Sequence, residues 1–217
     1  MLPLEGATAT READMPTSLP NILTYARIAM VPVVVGCVVY EGDWARWLAL
    51  AVFIVAGITD FFDGYLARAW AQQSNLGRML DPIADKLLVA AVLLALTREG
   101  TIAGYSLWAA LVILCREILV SGLREFLAEL RVSVPVSQLA KWKTTIQMIA
   151  LAFLLAGPAG DKLVSGVTEV GIALLWAAAI LTLYTGYDYF KAGIDHLTGP
   201  VPDAAPPPAA AKRDGAS

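Results

Sequence analysis

Six long apolar blocks joined by short polar connections leave this chain few ways to fold. They run over residues 21–40, 44–70, 77–97, 104–127, 139–157 and 167–191. At 1.5 Å per residue, each is long enough as a helix to cross a hydrocarbon core of about 30 Å. Helices suit these blocks because every backbone group in lipid needs an internal partner, and the alternation expected of a strand is absent. Composition agrees: 58% of the 217 residues are hydrophobic and only 16% charged, where a soluble domain carries about a quarter charged residues. Mean hydropathy is +0.63. The fold class expected is all-α, a polytopic integral membrane protein with six transmembrane helices, and Pro32 is predicted to kink the first of them.

The remaining segments frame this core. Residues 1–19 are polar, with Glu5, Arg11, Glu12 and Asp14, and lack the apolar core of a signal peptide. Residues 20–197 form the expected membrane domain, and the Pro- and Ala-rich stretch 198–217 is expected to be a disordered tail. Cys37 and Cys115 lie in apolar stretches without metal-ligand or disulfide spacing, so they are expected as small buried hydrophobes. His196 falls beyond the last block and is expected at the surface. Six crossings put both termini on one side. Arg46, Arg98 and Lys162 are the only basic residues in or near the connections after odd-numbered helices; all others fall on the opposite half. The positive-inside rule makes that half, with both termini, cytoplasmic.

Charged side chains within apolar helices are costly and point to function. Residues 58–88 read ITDFFDGYLARAWAQQSNLGRMLDPIADKLL. Asp60 and Asp63 are three apart and Asp81 and Asp85 four apart, so each pair shares a helix face. The short connection AQQSNLG predicts antiparallel neighbours whose carboxylate pairs face each other near the cytoplasmic end. Four carboxylates packed together repel, and a divalent cation removes that conflict. All-oxygen ligation suits Mg²⁺ or Mn²⁺ and gives no reason to expect zinc. Two such ions would bind a phosphate-containing substrate and stabilise attacking and leaving oxygens. Gly64 and Gly77 allow close approach, and Arg68, one turn beyond Gly64, can pair with a phosphate.

The second half carries a separate signal. CREILVSGLRE (115–125) and KWKTTIQ (141–147) place Arg116, Glu117, Arg124, Lys141 and Lys143 on the cytoplasmic side. Arg116 and Arg124 are eight apart and share roughly one helix face. A cationic cluster opposite a two-metal site suits an acceptor with its own phosphate. Ordinary positive-inside anchoring is the alternative reading of Lys141 and Lys143, and a weaker one for Arg116 inside an apolar run.

The block D-x-x-D-G-x-x-A-R-(x)8-G-x-x-x-D-x-x-x-D, complete from Asp60 to Asp85, closely resembles the signature of the CDP-alcohol phosphatidyltransferases. The resemblance covers most of the chain and implies six transmembrane helices with cytoplasmic termini, a homodimer, and a place in the bacterial inner membrane. It implies that Asp60, Asp63 and Asp81 ligate one metal and Asp60, Asp81 and Asp85 a second. Asp85 would also be the general base. Gly64, Arg68 and Ser74 would contact the CDP part of CDP-diacylglycerol. PNILTYAR would bring Asn21, Thr24 and Arg27 to the nucleotide. The strings R-E-I-x-x-S-x-L-R-E and K-x-K-T-x-x-Q are similar to those of the bacterial branch that accepts glycerol phosphate. That likeness implies sn-glycerol 3-phosphate as acceptor, docked on Arg116, Arg124, Lys141 and Lys143, with phosphatidylglycerophosphate and CMP as products. The expected partners are these two substrates and membrane lipids, with no nucleic acid. Within the family, inositol phosphate and phosphatidylglycerol are the alternative acceptors. Outside it, membrane carboxylates can mark a cation transporter, a reading that leaves Gly64, Arg68 and Gly77 unexplained.

Overall fold

The computed structural model describes residues 19–40, 42–70, 75–129 and 138–198, with side chains 61–78 and 81 and several near the C-terminus outside the description. Six helices follow in order: α1 Leu19–Val39, α2 Asp43–Trp70, α3 Asn75–Glu99, α4 Ser106–Glu129, α5 Gln138–Asp161 and α6 Val167–Thr198. Among the described residues there is no strand. The fold is all-α, with helix ends within a few residues of those expected. The exception is α6, which continues to Thr198. Pro32 sits inside a continuous α1. A non-helical break falls at Gly157 in α5, just before Pro158.

Three segments are apolar enough, by length and composition, to cross a membrane: Asn21–Val39, Ser106–Ala128 and Val167–Tyr187. The other three helices house many of the charges, among them Arg46 and Asp60 on α2, Asp85 and Lys86 on α3, and Lys141 and Lys143 on α5. Apolar side chains fill both the inside and the outside of the bundle. Val34, Phe53, Leu96, Ile113, Leu154 and Leu175 are buried, while Val33, Ile54, Leu94, Ile118, Ile180 and Leu183 are exposed. An apolar belt on that scale needs a lipid environment. Between lipid-embedded helices association depends on close packing, and Ala49, Ala56, Ala109, Ala150 and Ala178 are all buried.

Helix α1 packs against both α2 and α3, α2 against α5, and α6 against α4 and α5. Among the described residues α2 and α3 make little direct contact. Helix α1 thus packs against both motif-bearing helices, and Arg46 of α2 also pairs with Glu99 of α3. The cysteine expectation also changes: Cys37 is only partly buried and Cys115 is exposed.

Arg46, an outlier to the positive-inside pattern, has a structural task. Pro158 has no N–H to give the Leu154 carbonyl, and the Gly157 backbone (φ 40°) leaves the helical path. Arg46 Nη1 donates to the carbonyls of Leu154 and Leu155, both at 3.2 Å. Its Nη2 pairs with Glu99 and donates to Thr101 Oγ1 at 2.8 Å. A Cβ at Gly157 would lie 2.4 Å from Arg46 Nη1, so the guanidinium occupies the space that glycine leaves. One turn further on, the Thr168 hydroxyl and N–H donate to Asp161 and hold its carboxyl below the usual range. That stabilisation is present above the ordinary carboxylate pKa and is lost as pH falls through the depressed value.

Replacing Arg46 takes a donor from two carbonyls and leaves the part-buried Glu99 carboxylate with the Thr101 hydroxyl but no counter-charge. Arg46→Met is expected to cost about 3 kcal/mol and to lower the thermal midpoint in detergent by roughly 5–10 °C. Arg46→Lys, which keeps the charge and loses the fork, should fall between the two. Thermal unfolding of the three purified proteins measures this.

Candidate active site

Helix α1 turns Asn21, Thr24 and Arg27 to one face, because they recur every three residues, and all three are buried. Arg27 Nη1 lies 2.7 Å from Asp60 Oδ1 on α2. The arginine is enclosed, while the Asp60 side chain is 48% exposed and opens into a cavity of about 720 Å³. Asp85 on α3 reaches the same cavity, so two of the four motif carboxylates share one space. Asp60 and Glu117 add negative charge near Asp85, and Arg27 and Lys86 add positive charge. Thr144, Thr145 and Met148 on α5 close one side, and Phe53, Ile54 and Ile58 on α2 provide apolar wall. The cavity thus carries carboxylates at one part and hydrocarbon at another.

The motif's other members lie partly outside the description. The backbone of Asp63, Gly64, Arg68 and Asp81 is helical, and their side chains are outside the described residues, as are Ser74 and the side chain of His196. Among the described residues no group of three or more potential ligands is assembled. The two carboxylates that are described fit a hard divalent cation: both are oxygen donors, both line one cavity, and Asp60 is open to it.

The cationic residues divide into two sets. Arg116 and Arg124 line a second cavity of about 280 Å³ between α3 and α4, together with Lys86, Glu117, Ser121 and Glu125. Lys86 Nζ donates to the Pro82 carbonyl at 3.2 Å and to Ser121 Oγ at 2.5 Å. Lys143 is buried and its ammonium donates to Glu117. Lys141 is exposed on α5 and lines neither cavity. Sequence reasoning passed over Lys86, although it adjoins Asp85, and gave Glu117 no role. Both stand beside residues already singled out, and that adjacency was the available signal. An apolar groove of about 690 Å³ runs between α4 and α6, with Arg116 in its wall and Lys191 and Cys115 along it.

Two carboxylates thus line one cavity of an apolar helical bundle, and a separate cavity is lined by arginines. Sequence comparison names the class: the model described as CDP-alcohol phosphatidyltransferase matches residues 17–184. The chain belongs to that family of membrane-bound transferases. It is 50% identical over 175 residues to a CDP-diacylglycerol–glycerol-3-phosphate 3-phosphatidyltransferase of Rickettsia bellii, covering 81% of this chain and 94% of the relative. Proteins of the same name from Cereibacter sphaeroides and Shigella flexneri serotype 5b are 40% and 42% identical, covering 83% and 82% of this chain and 97% and 96% of theirs.

Gly57 lines the first cavity one helical turn before Asp60. A Cβ there would meet only Met148 Cε, at 3.4 Å, the far end of a flexible side chain. Gly57→Ala is therefore expected to retain activity, while Gly57→Leu projects into the cavity and raises KM for the donor lipid roughly tenfold. Kinetics of CMP release against donor concentration measure the difference.

Proposed function

We propose that this chain transfers the phosphatidyl group of CDP-diacylglycerol to sn-glycerol 3-phosphate, giving phosphatidylglycerophosphate and CMP, a step of phospholipid biosynthesis. The observation that carries the reading is the shared cavity of Asp60 and Asp85, set in the complete family signature. Relatives at 40–50% identity over most of the chain, all named for this reaction, support the acceptor.

The roles proposed are these. Asp60, Asp63, Asp81 and Asp85 would hold two divalent cations, Mg²⁺ or Mn²⁺, which when bound supply charge neutralisation and Lewis acidity at the donor diphosphate. Gly64, Arg68 and Ser74 receive the CDP moiety, with Asn21, Thr24 and Arg27 behind it. The pairing of Arg27 with Asp60 gives that arginine a further task, holding the first motif carboxylate in place. The apolar wall of Ile54, Ile58 and Ile149 suits the acyl chains. Arg116 and Arg124 bind the acceptor phosphate, with Lys143 and Lys141 adding positive charge.

Asp85 accepts the proton of the sn-1 hydroxyl as that oxygen attacks the phosphorus bearing diacylglycerol. The new P–O bond forms as the bond to CMP breaks, and CMP departs with the electron pair. Direct displacement suits the site, since the described cavity wall offers threonines but no Ser, Cys or His beside the carboxylates. On this reading the protein is a multi-pass homodimer of the bacterial inner membrane, crossing it six times with termini and site cytoplasmic. The distribution of Lys and Arg and the family resemblance support this placement.

The test supplies purified protein with CDP-diacylglycerol, Mg²⁺ or Mn²⁺, and one acceptor at a time, and measures CMP. Release is expected with glycerol 3-phosphate; release with inositol phosphate alone would overturn the acceptor assignment. Asp85→Asn is expected to abolish turnover, and Lys143→Ala to act mainly on acceptor KM. Exchange of labelled CMP into the donor without acceptor would rule out direct displacement.

A further inference from the structure

Four polar side chains from three helices meet at the wall of the arginine-lined cavity and behind it. Arg116 and Glu117 are consecutive on α4, Lys143 comes from α5 and Thr185 from α6. The Lys143 ammonium donates to Glu117 Oε1, and the same oxygen lies 3.7 Å from Arg116 Nη1. One carboxylate thus serves both cations. On its other side, Arg116 Nη2 donates to Thr185 Oγ1 at 3.1 Å. Thr185 is 1% exposed and gives its own proton to the Leu181 carbonyl at 2.8 Å. Its hydroxyl is therefore an oriented acceptor toward the guanidinium, the use to which a back-bonding threonine inside a helix can be put. The next residue, Gly186, provides room: a Cβ there would come 3.3 Å from Arg116 Cγ.

Arginine and lysine are long, and ordering them on ligand binding costs affinity unless they are held beforehand. Glu117 and Thr185 provide that hold in different ways. Glu117 offsets one positive charge among two, so the pair of cations stays net positive for a phosphate. Thr185 is neutral and orients Arg116 without cancelling charge.

We propose that Glu117 and Thr185 are positioning residues for acceptor recognition: Glu117, in the cavity wall, shares its carboxylate between Lys143 and Arg116, and Thr185 holds Arg116 from behind, so that Arg116 presents its charge to the acceptor phosphate. The inference rests on the transferase reading above. Neither residue touches the reacting atoms; each acts through the cation it holds.

Steady-state CMP release by the full chain in detergent, varying each substrate in turn, tests this. Thr185→Val keeps shape and removes the acceptor, and it is expected to raise KM for glycerol 3-phosphate roughly tenfold. Its kcat and its KM for CDP-diacylglycerol should stay within about twofold of wild type. Thr185→Ser should restore the acceptor KM. Glu117→Gln should raise the same constant at least as much. Because it strips a buried cation of its counter-charge and can unfold the bundle, the double variant Glu117→Gln, Lys143→Met is measured beside Lys143→Met alone and should show the higher acceptor KM of the two, since Arg116 also loses its carboxylate partner. A wild-type acceptor KM in Thr185→Val overturns the proposal, as does a Thr185→Ser protein as impaired as the valine variant. So does a fall in kcat with both KM values unchanged. If wild type itself releases no CMP with glycerol 3-phosphate, it is the transferase reading that fails.

Discussion

A charge enclosed in an apolar bundle needs an opposite charge or a fixed dipole, and this requirement organises the molecule. Arg27 meets Asp60, Arg46 meets Glu99, and Lys143 meets Glu117. Each pair joins two helices: α1 to α2, α2 to α3, and α4 to α5. Burial makes an unpaired member far more costly than a surface ion pair is valuable, so these contacts specify which helices lie together. The exposed pair of Lys162 with Asp43 carries no such weight.

The three pairs divide into two kinds. Arg46 serves stability, because its guanidinium completes a helix that Gly157 and Pro158 interrupt. Arg27 and Lys143 instead stand at or behind a cavity, and their partners are residues of the proposed chemistry. Asp60 keeps about half its side chain open while its partner is enclosed. That asymmetry leaves a carboxylate both anchored and available, as a metal ligand needs to be.

Much of the architecture was legible in the sequence because lipid imposes so strict a rule. Apolar length reports the helices, and their observed ends depart little from those read along the chain, apart from the extension of α6. The four Asp residues were legible as a set because their offsets place them on two helix faces and match a family pattern. The packing of α1 against both α2 and α3 was not legible, because long-range contacts of that kind leave no periodic trace. Pro32 and Pro158 show the same boundary. Each is a proline in an apolar helix, and only the second coincides with a backbone break, because there a glycine and an incoming guanidinium accommodate it.

By itself, then, the sequence determined the class of fold, the motif carboxylates and the presence of a cationic second half. The tertiary structure decided which of these groups meet. It brought Asp60 and Asp85 to one cavity, left Lys141 exposed and outside the lining of the cavity that holds Arg116 and Arg124, and brought in Lys86, Glu117 and Thr185. The physical reason is one of range. Helical periodicity and transfer free energy act within a segment and are written in local spacing, whereas charge pairing and close packing act between segments far apart in the chain.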